Sequence, residues 1–309
     1  MQQQTTLAPE DERKVDRLGT AWSGESAALE AAVAGRYALE RELGRGTTGI
    51  VYKARDVALD RRVAIKLLHP FADIPRLRER FLEEARTIAA MAHPNVVQIY
   101  AVEQAAEFVF FVMPYVVGET LGARVRRAGP LGPASALRCM RQVARALVHA
   151  HSRGVVHRDV KPDNIVLEHR SGRAKLVDFG ISVRLEPGRS SMSDWPVGTP
   201  HFMSPEQASG GAVDARSDLY ALGATVFYAL AGRPPFDAPS LPALLDLVRT
   251  APLPRLHTLR PDVASHLEAA VERCLAKAPL ERFPSAGCLL AALTRVTGVK
   301  PRRCPPGRP

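Results

Sequence analysis

Two short stretches hold the residues whose types and spacing could do chemistry, His157-Arg158-Asp159-Val160-Lys161-Pro162-Asp163-Asn164 and Asp178-Phe179-Gly180. A carboxylate such as Asp159 can accept a hydroxyl proton. An amide oxygen five positions later, at Asn164, and a carboxylate fourteen beyond that, at Asp178, form a hard-oxygen pair of the kind that holds Mg²⁺. A base beside a magnesium pair is the chemistry of phosphoryl transfer. Either tripeptide alone occurs by chance in solvated turns, but the two in this order and at this distance are far more specific.

The remaining parts of such a site must appear in the order that the chemistry demands. Upstream, Gly44-Arg45-Gly46-Thr47-Thr48-Gly49-Ile50-Val51 reads G-x-G-x-x-G-x-V, in which missing side chains let backbone amides approach phosphate oxygens. The same spacing serves dinucleotide folds, where it opens a helix; here the following Ile50-Val51-Tyr52-Lys53-Ala54 reads as a strand. The loop is therefore expected to join two strands. In Arg62-Val63-Ala64-Ile65-Lys66-Leu67-Leu68 the period of two puts Ala64 and Lys66 on one strand face. A lone lysine is more often solvent-facing on an edge strand, whereas one among apolar neighbours needs counter-charges such as phosphates and a helix carboxylate. Leu77, Phe81, Ile88 and Met91 mark the apolar stripe of a helix from about Arg76 to Ala92, and Glu84 falls within that stripe. Glu79 and Glu83 suit a surface role better.

In combination these motifs resemble the eukaryotic-type (Hanks-type) Ser/Thr protein kinases as found in bacteria, over about 260 residues from Tyr37 to roughly Val296. The resemblance implies an α+β, two-lobed protein-kinase-like fold: a small β-rich lobe at about 37–115 with one key helix, and a larger, mainly helical lobe at about 118–297. It implies ATP and Mg²⁺ as cofactors, with the nucleotide between the lobes. Leu43, Gly44, Gly46, Gly49, Val51, Ala64, Lys66, Met113, Pro114 and Val116 would line the nucleotide, and Asn164 and Asp178 would bind the metal. Asp159 would be the base, Lys161 and Thr199 its companions, and Glu84 the ion-pair partner of Lys66. Lys161 two residues after the base, and Thr199 in Gly198-Thr199-Pro200, are similar to the alcohol-phosphorylating branch of the family. Glu206 is expected to pair with Arg282, and Asp218 to anchor the backbone around Asp159. Two departures stand out: Pro114 replaces a glutamate common among relatives, and Ser204-Pro205-Glu206 replaces Ala-Pro-Glu. Pro114 keeps its carbonyl, so adenine recognition would need that group and the amide of Val116.

Between Asp178 and Glu206 lies a polar, Gly- and Pro-containing segment with Ser190, Ser191, Ser193 and Thr199. Serines in such a loop are usually just solvated. Arg158 beside the base shifts the expectation, because an arginine there would attract a phosphoserine. Ser191 and Ser193 sit seven and five residues before Gly198, where the resemblance places activating phosphorylation sites.

Composition bounds the rest. The net charge is +10 and the pI near 9.8, yet the basic residues are scattered and only seven of 42 are lysine, the bias of a GC-rich genome. A nucleic-acid partner is therefore not expected; the resemblance implies protein substrates with Ser or Thr acceptors as partners, with a small-lobe homodimer as a family option. Four cysteines without C-x-x-C spacing argue against metal binding and disulfides. His149, His151 and His157 might suggest zinc, but the run from His151 to Asp159 reads as the approach to the catalytic stretch. No apolar leader follows Met1, and the longest apolar run, Leu219 to Leu230, fits a buried helix rather than a membrane span. The expectation is a cytoplasmic enzyme. Residues 1–36 read as a flexible extension and 298–309 as a basic, Pro-rich tail that cannot pack. Helices are expected near 27–34, 133–152, 216–231, 240–250 and 263–276. Two alternatives stay open: a phosphotransferase acting on small-molecule hydroxyls, and a pseudokinase scaffold.

Overall fold

Alternation of apolar and polar residues writes the first sheet of the computed structural model, which describes residues 27–46, 49–68, 88–106, 108–178 and 200–294. The chain divides into two units, Met1–Ile74 with Tyr100–Tyr115, and Pro75–Ile99 with Val116–Pro309. In the first unit, strands β1 (Tyr37–Gly46), β2 (Gly49–Asp56), β3 (Arg61–Leu68), β4 (Ala101–Ala105) and β5 (Phe108–Pro114) form an antiparallel sheet in the order β1-β2-β3-β5-β4. One face carries Ile50, Tyr52, Ala54, Val63, Ile65, Leu67, Phe110 and Val112, all buried in a single apolar cluster.

Residues 27–36, assigned on sequence to a flexible extension, take part in this packing. A helix, α1, covers residues 27–33, and its Leu29 and Val33, 0% and 3% exposed, belong to the same cluster. Burying two branched side chains on the sheet removes apolar surface that would otherwise face water. Arg36 and the Tyr37 hydroxyl both reach Glu103, at 2.8 and 2.7 Å. Burial and this carboxylate push the Tyr37 phenol up to about 12.

The second unit is mainly helical: α2 (Leu121–Ala128), α3 (Pro133–His151), α4 (Pro205–Ala208), α5 (Ala215–Ala231), α6 (Leu241–Thr250), α7 (Leu256–Leu259), α8 (Ser265–Cys274) and α9 (Ala286–Thr294). The helix α5 is buried on nearly every side, from Ser217 to Leu230, which is why its sequence reads as one apolar run. It starts at the Asp214 cap and stops at Gly232, whose φ of 76° is the left-handed turn that ends a helix. A small sheet, β6 (Gly118–Thr120), β7 (Ile165–Glu168) and β8 (Ala174–Leu176), lies alongside in the order β6-β7-β8. It is fastened to the segment ahead of β4 by Val97 N–H to Leu176 O, Leu176 N–H to Asn95 O and Asn95 Nδ2 to Ala174 O, at 2.8–2.9 Å.

Of the helix expected at 76–92, only residues 88 and 89 are described as helical, with Ile88 and Met91 buried. Cys139 and Cys274 are free and buried, their thiols pushed up to about 12 by desolvation. Cys288 is disulfide-bonded, which corrects the expectation that the cysteines form no disulfide. That expectation looked for neighbours along the sequence, while a disulfide needs only closeness in space. Among the described residues no helix is long and apolar enough to cross a membrane.

Candidate active site

Asp159 lies between α3 and β7, on a loop whose backbone is held by a buried carboxylate. Asp218, 0% exposed near the start of α5, accepts the N–H of His157 at 2.8 Å, the N–H of Arg158 at 2.7 Å and the Nε2–H of His151 at 2.8 Å. This is the anchor expected of Asp218. It satisfies backbone donors that burial would otherwise leave unpaired.

A second brace is His157, fully buried. Its Nδ1 accepts the Asp159 N–H at 3.3 Å, so its Nε2–H donates to Val177 O at 3.0 Å. One imidazole thus ties the residue before Asp178 to the residue that carries the base. Burial holds its pKa below the ordinary value, against the pull of Asp218 and Asp159, and keeps the ring neutral. Asn164 O closes the same link by accepting the Val177 N–H at 2.9 Å. Arg158 in this loop and Asp178 just past β8 take left-handed backbone, with φ 65° and 54°. Such conformations cost energy in non-glycine residues and persist only where surrounding bonds enforce them.

The carboxylate of Asp159 is oriented from one side. Lys161 Nζ and Asn164 Nδ2 both donate to its Oδ2 at 2.8 Å, and Asn164 Nδ2 also reaches the Asp159 carbonyl at 2.8 Å. Among the described residues its Oδ1 receives no hydrogen bond, and the side chain is 43% exposed. Because the Asn164 amide nitrogen is committed to Asp159, its Oδ1 is turned away and bonded to no described residue, although Asn164 is buried. A committed nitrogen and an open oxygen suit a hard cation, and with the Asp178 carboxylate the donor set is all oxygen, which fits Mg²⁺.

In the first unit the residues expected around the nucleotide share one sheet face. Val51 is opposite Lys66, and Ala64 is opposite Met113, so the four alternate against the apolar cluster. Lys66 is 6% exposed. Leu43 falls where the β1–β2 register shifts, and Gly44 is paired with Val51. A Cβ on Gly44 would meet nothing within 4 Å, leaving the open approach that a phosphate needs. Gly49 is different: its φ is 142°, and a Cβ there would run into the Leu67 carbonyl of β3. Gly46 ends β1, and Pro114 ends β5 opposite Val63, with Val116 just beyond. Pro114 therefore takes its place without an N–H to spend on the ladder.

Glu84, Thr199, Ser191 and Ser193 lie outside the described residues. The expected pair of Glu206 and Arg282 is present, with Nη1 and Nη2 at 2.7 Å from the two carboxylate oxygens. Arg282 is 1% exposed and also donates to the carbonyls of Ala276, Arg216 and Lys277. Burial alone would raise the Glu206 carboxyl, but the Arg282 fork and the Ser217 hydroxyl hold it below the ordinary value. The three histidines considered for zinc go to separate partners: His151 to Asp218, His157 to Val177, and His149 against the ring of His93.

One residue escaped the sequence reading. Gln207 donates from Nε2 to the Arg158 carbonyl at 2.9 Å while its Oε1 accepts the Ser204 N–H, so a capping box doubles as a brace for the loop. The Ser204-x-x-Gln207 spacing was the available signal.

The sequence matches the protein kinase domain family over residues 37–291. It is 38% identical over 255 residues to serine/threonine-protein kinase PrkC of Bacillus subtilis, spanning 82% of this chain and 39% of that protein. Over 270 residues it is 40% identical to the DNA damage-responsive serine/threonine-protein kinase RqkA of Deinococcus radiodurans, spanning 84% of this chain and again 39% of the relative. The crystal structure of the Mycobacterium tuberculosis PknI kinase domain superposes with a TM-score of 0.66 at 30% identity, covering 84% of this chain and 96% of that one. The chain spans about two-fifths of the length of the curated relatives it matches.

Proposed function

Because the chain belongs to the protein kinase domain family, we propose that it is a Ser/Thr protein kinase that moves the γ-phosphoryl group of ATP onto hydroxyls of protein substrates. The observation that carries this reading is the Asp159 carboxylate, oriented through Oδ2 by Lys161 and Asn164 and open at Oδ1. An acceptor hydroxyl hydrogen-bonded to Oδ1 is aimed by it, and Asp159 takes the hydroxyl proton as the new oxygen–phosphorus bond forms and the bond to the β-phosphate oxygen breaks. Lys161, fixed on Asp159, offsets charge on the phosphoryl group in flight.

Mg²⁺, held by Asn164 and Asp178, would neutralise phosphate charge. Lys66 serves the nucleotide phosphates, with Glu84 as its counter-charge. Gly44, Gly46 and Gly49 leave backbone amides open to them, and Leu43, Val51, Ala64 and Met113 give the base an apolar surface, with the Pro114 carbonyl and Val116 amide as its polar contacts. Thr199 steadies the Asp159 and Lys161 pair. The catalysis asked of these residues is positioning and charge stabilisation rather than covalent chemistry.

Phosphorylation of Ser191 or Ser193 is proposed to switch the enzyme on. Supporting it, Arg158 Nε, in the loop that carries the base, is buried without a hydrogen-bond partner among the described residues. A phosphoserine there would supply the missing acceptor.

The test is incubation of the purified chain with ATP, Mg²⁺ and a generic protein substrate, with phosphate located by mass spectrometry and Asp178→Asn as control. Phosphoserine or phosphothreonine made by the native chain and absent in the control is the expected result. Phosphate appearing only on small-molecule alcohols would move the assignment to the alternative class, and equal incorporation by the control would remove Asp178 from the mechanism. Ser191→Ala with Ser193→Ala should lengthen the lag before full activity; an unchanged time course would defeat the switch.

A further inference from the structure

The arginines that look scattered along the sequence line up on one side of α3, where Arg138 and Arg145 are exposed and Arg141 and His149 are half-buried. Arg138, Arg141, Arg145 and His149 recur at three- and four-residue steps, which puts them on one stripe of the helix, and Arg153 follows one turn later. At the ordinary helical rise the stripe from Arg138 to His149 runs about 16 Å. The opposite side is the buried one, with Ala136, Cys139, Met140, Val143, Ala144 and Leu147. No acidic residue occurs anywhere in α3.

Among the described residues none of these arginines has a carboxylate partner. Arg138 bonds only the Ser135 hydroxyl, Arg141 the carbonyl of Leu293, and Arg153 the ring and carbonyl of His149 and the Ser152 hydroxyl, while Arg145 is exposed with no hydrogen bond. The contrast with α2 is direct, since there Arg126 is paired with Asp163 and Arg127 with Glu119. The basic array also extends sideways. Gln142 accepts the Ala174 N–H at 2.6 Å, which brings β8 against α3 and sets the exposed Arg173 beside the stripe.

We infer that this face of α3 is a docking surface for the phosphate backbone of double-stranded nucleic acid. Charge complementarity selects the partner. A duplex presents about one charge per 1.7 Å of its axis, a regular dense array, and guanidinium groups bind phosphate in a bidentate fork. The one ring on the stripe, His149, already lies against His93, so no aromatic face is left there for single-stranded bases to stack on. Val148, at 36%, is the exposed large apolar residue of α3, too little for insertion into a lipid surface or for a peptide laid in a groove. The binding is sequence-independent and leaves the Asp159 region free. The sequence reading disfavoured nucleic acid because it looked for clusters along the chain; helical spacing makes the cluster in space.

The test is fluorescence anisotropy of a labelled mixed-sequence duplex with the full chain. Native protein should bind with Kd of order 10 μM or tighter at about 50 mM salt, and log K should fall against log salt with a slope of about −3 to −4, for some four phosphate contacts. Arg138→Glu, Arg145→Glu and Arg153→Glu together should weaken binding roughly tenfold or more. A charge-matched control, Arg233→Glu with Arg249→Glu and Arg255→Glu, should stay within about threefold of native, and both sets should keep basal kinase activity and melting temperature. The proposal is overturned if no binding occurs up to about 100 μM protein, or if both variants lose affinity equally. It is equally overturned if polyglutamate or phosphatidylserine vesicles bind in matched salt while the duplex does not.

Discussion

The loop around Asp159 and the sheet that carries Lys66 position their groups by opposite means. The loop is held by polar bonds: Asp218, His157, Asn164 and Gln207 each satisfy backbone groups beside the base, and two left-handed residues are kept in place by them. The sheet is held by register, with Val51 opposite Lys66 and Ala64 opposite Met113, over an apolar cluster that includes Leu29 and Val33. A polar-held region fails when one buried partner is removed, because the other is left uncompensated. A register-held region fails when backbone cannot fit, and tolerates loss of surface charge.

The largest expected effect is in the polar region. Arg282→Ala leaves Glu206 buried without its cation and should cost about 3–5 kcal/mol by chemical denaturation. A loss below about 1 kcal/mol would mean that the pair is no keystone.

Acid sharpens the same contrast. His157 has a pKa below that of the unfolded chain, so below the unfolded value of about 6.5 the unfolded state binds more protons and stability falls as pH drops. His93 and His149 are lowered too, by burial first, and add the same sign. Glu206, also lowered, adds a second loss further down, beginning near the ordinary carboxyl range. Melting temperature should drop by roughly 2–4 °C or more between about pH 7 and 5.5. A flat or rising profile there would contradict a neutral, bracing His157.

In the sheet, Gly49→Ala should cost about 1–3 kcal/mol, since it meets both a left-handed φ and the Leu67 carbonyl. Gly44→Ala should change stability by less than about 0.5 kcal/mol, there being open space around it. Equal losses at the two glycines would remove the distinction between one required by the fold and one that leaves room for a ligand. A small effect is also expected at Lys53, which pairs with Glu40 and lies over the Tyr115 ring. Lys53→Ala should cost under about 1 kcal/mol.

What the sequence revealed follows the same division. Strand and helix periods made the sheet face and the long helices readable: the stretches expected at 133–152, 216–231, 240–250 and 263–276 are α3, α5, α6 and α8 within a residue or two. Motif spacing brought out Asp159, Asn164 and Asp178, because phosphoryl transfer restricts which residue types can stand at those offsets. The short α2 was not foreseen: in Leu121–Ala128 only Leu121 and Val125 mark an apolar side, among three arginines and Gly122. Nor was α9, whose Ala, Leu and Gly residues have no clear polar face. The packing of Leu29 and Val33 escaped notice because two apolar residues in an Ala- and Glu-rich stretch look like a solvated helix until a sheet face is there to receive them. Gln207 was hidden by distance: a brace spanning 49 residues leaves no periodic trace.

The central claim is that an oriented carboxylate at Asp159 performs phosphoryl transfer. Steady-state transfer from ATP to a protein substrate, measured for the native chain and Asp159→Asn at matched folding, tests it most directly. The predicted result is a loss of about 10²–10⁴-fold in kcat for the variant with an unchanged melting temperature. Activity within about tenfold of native in a folded Asp159→Asn protein would contradict the account.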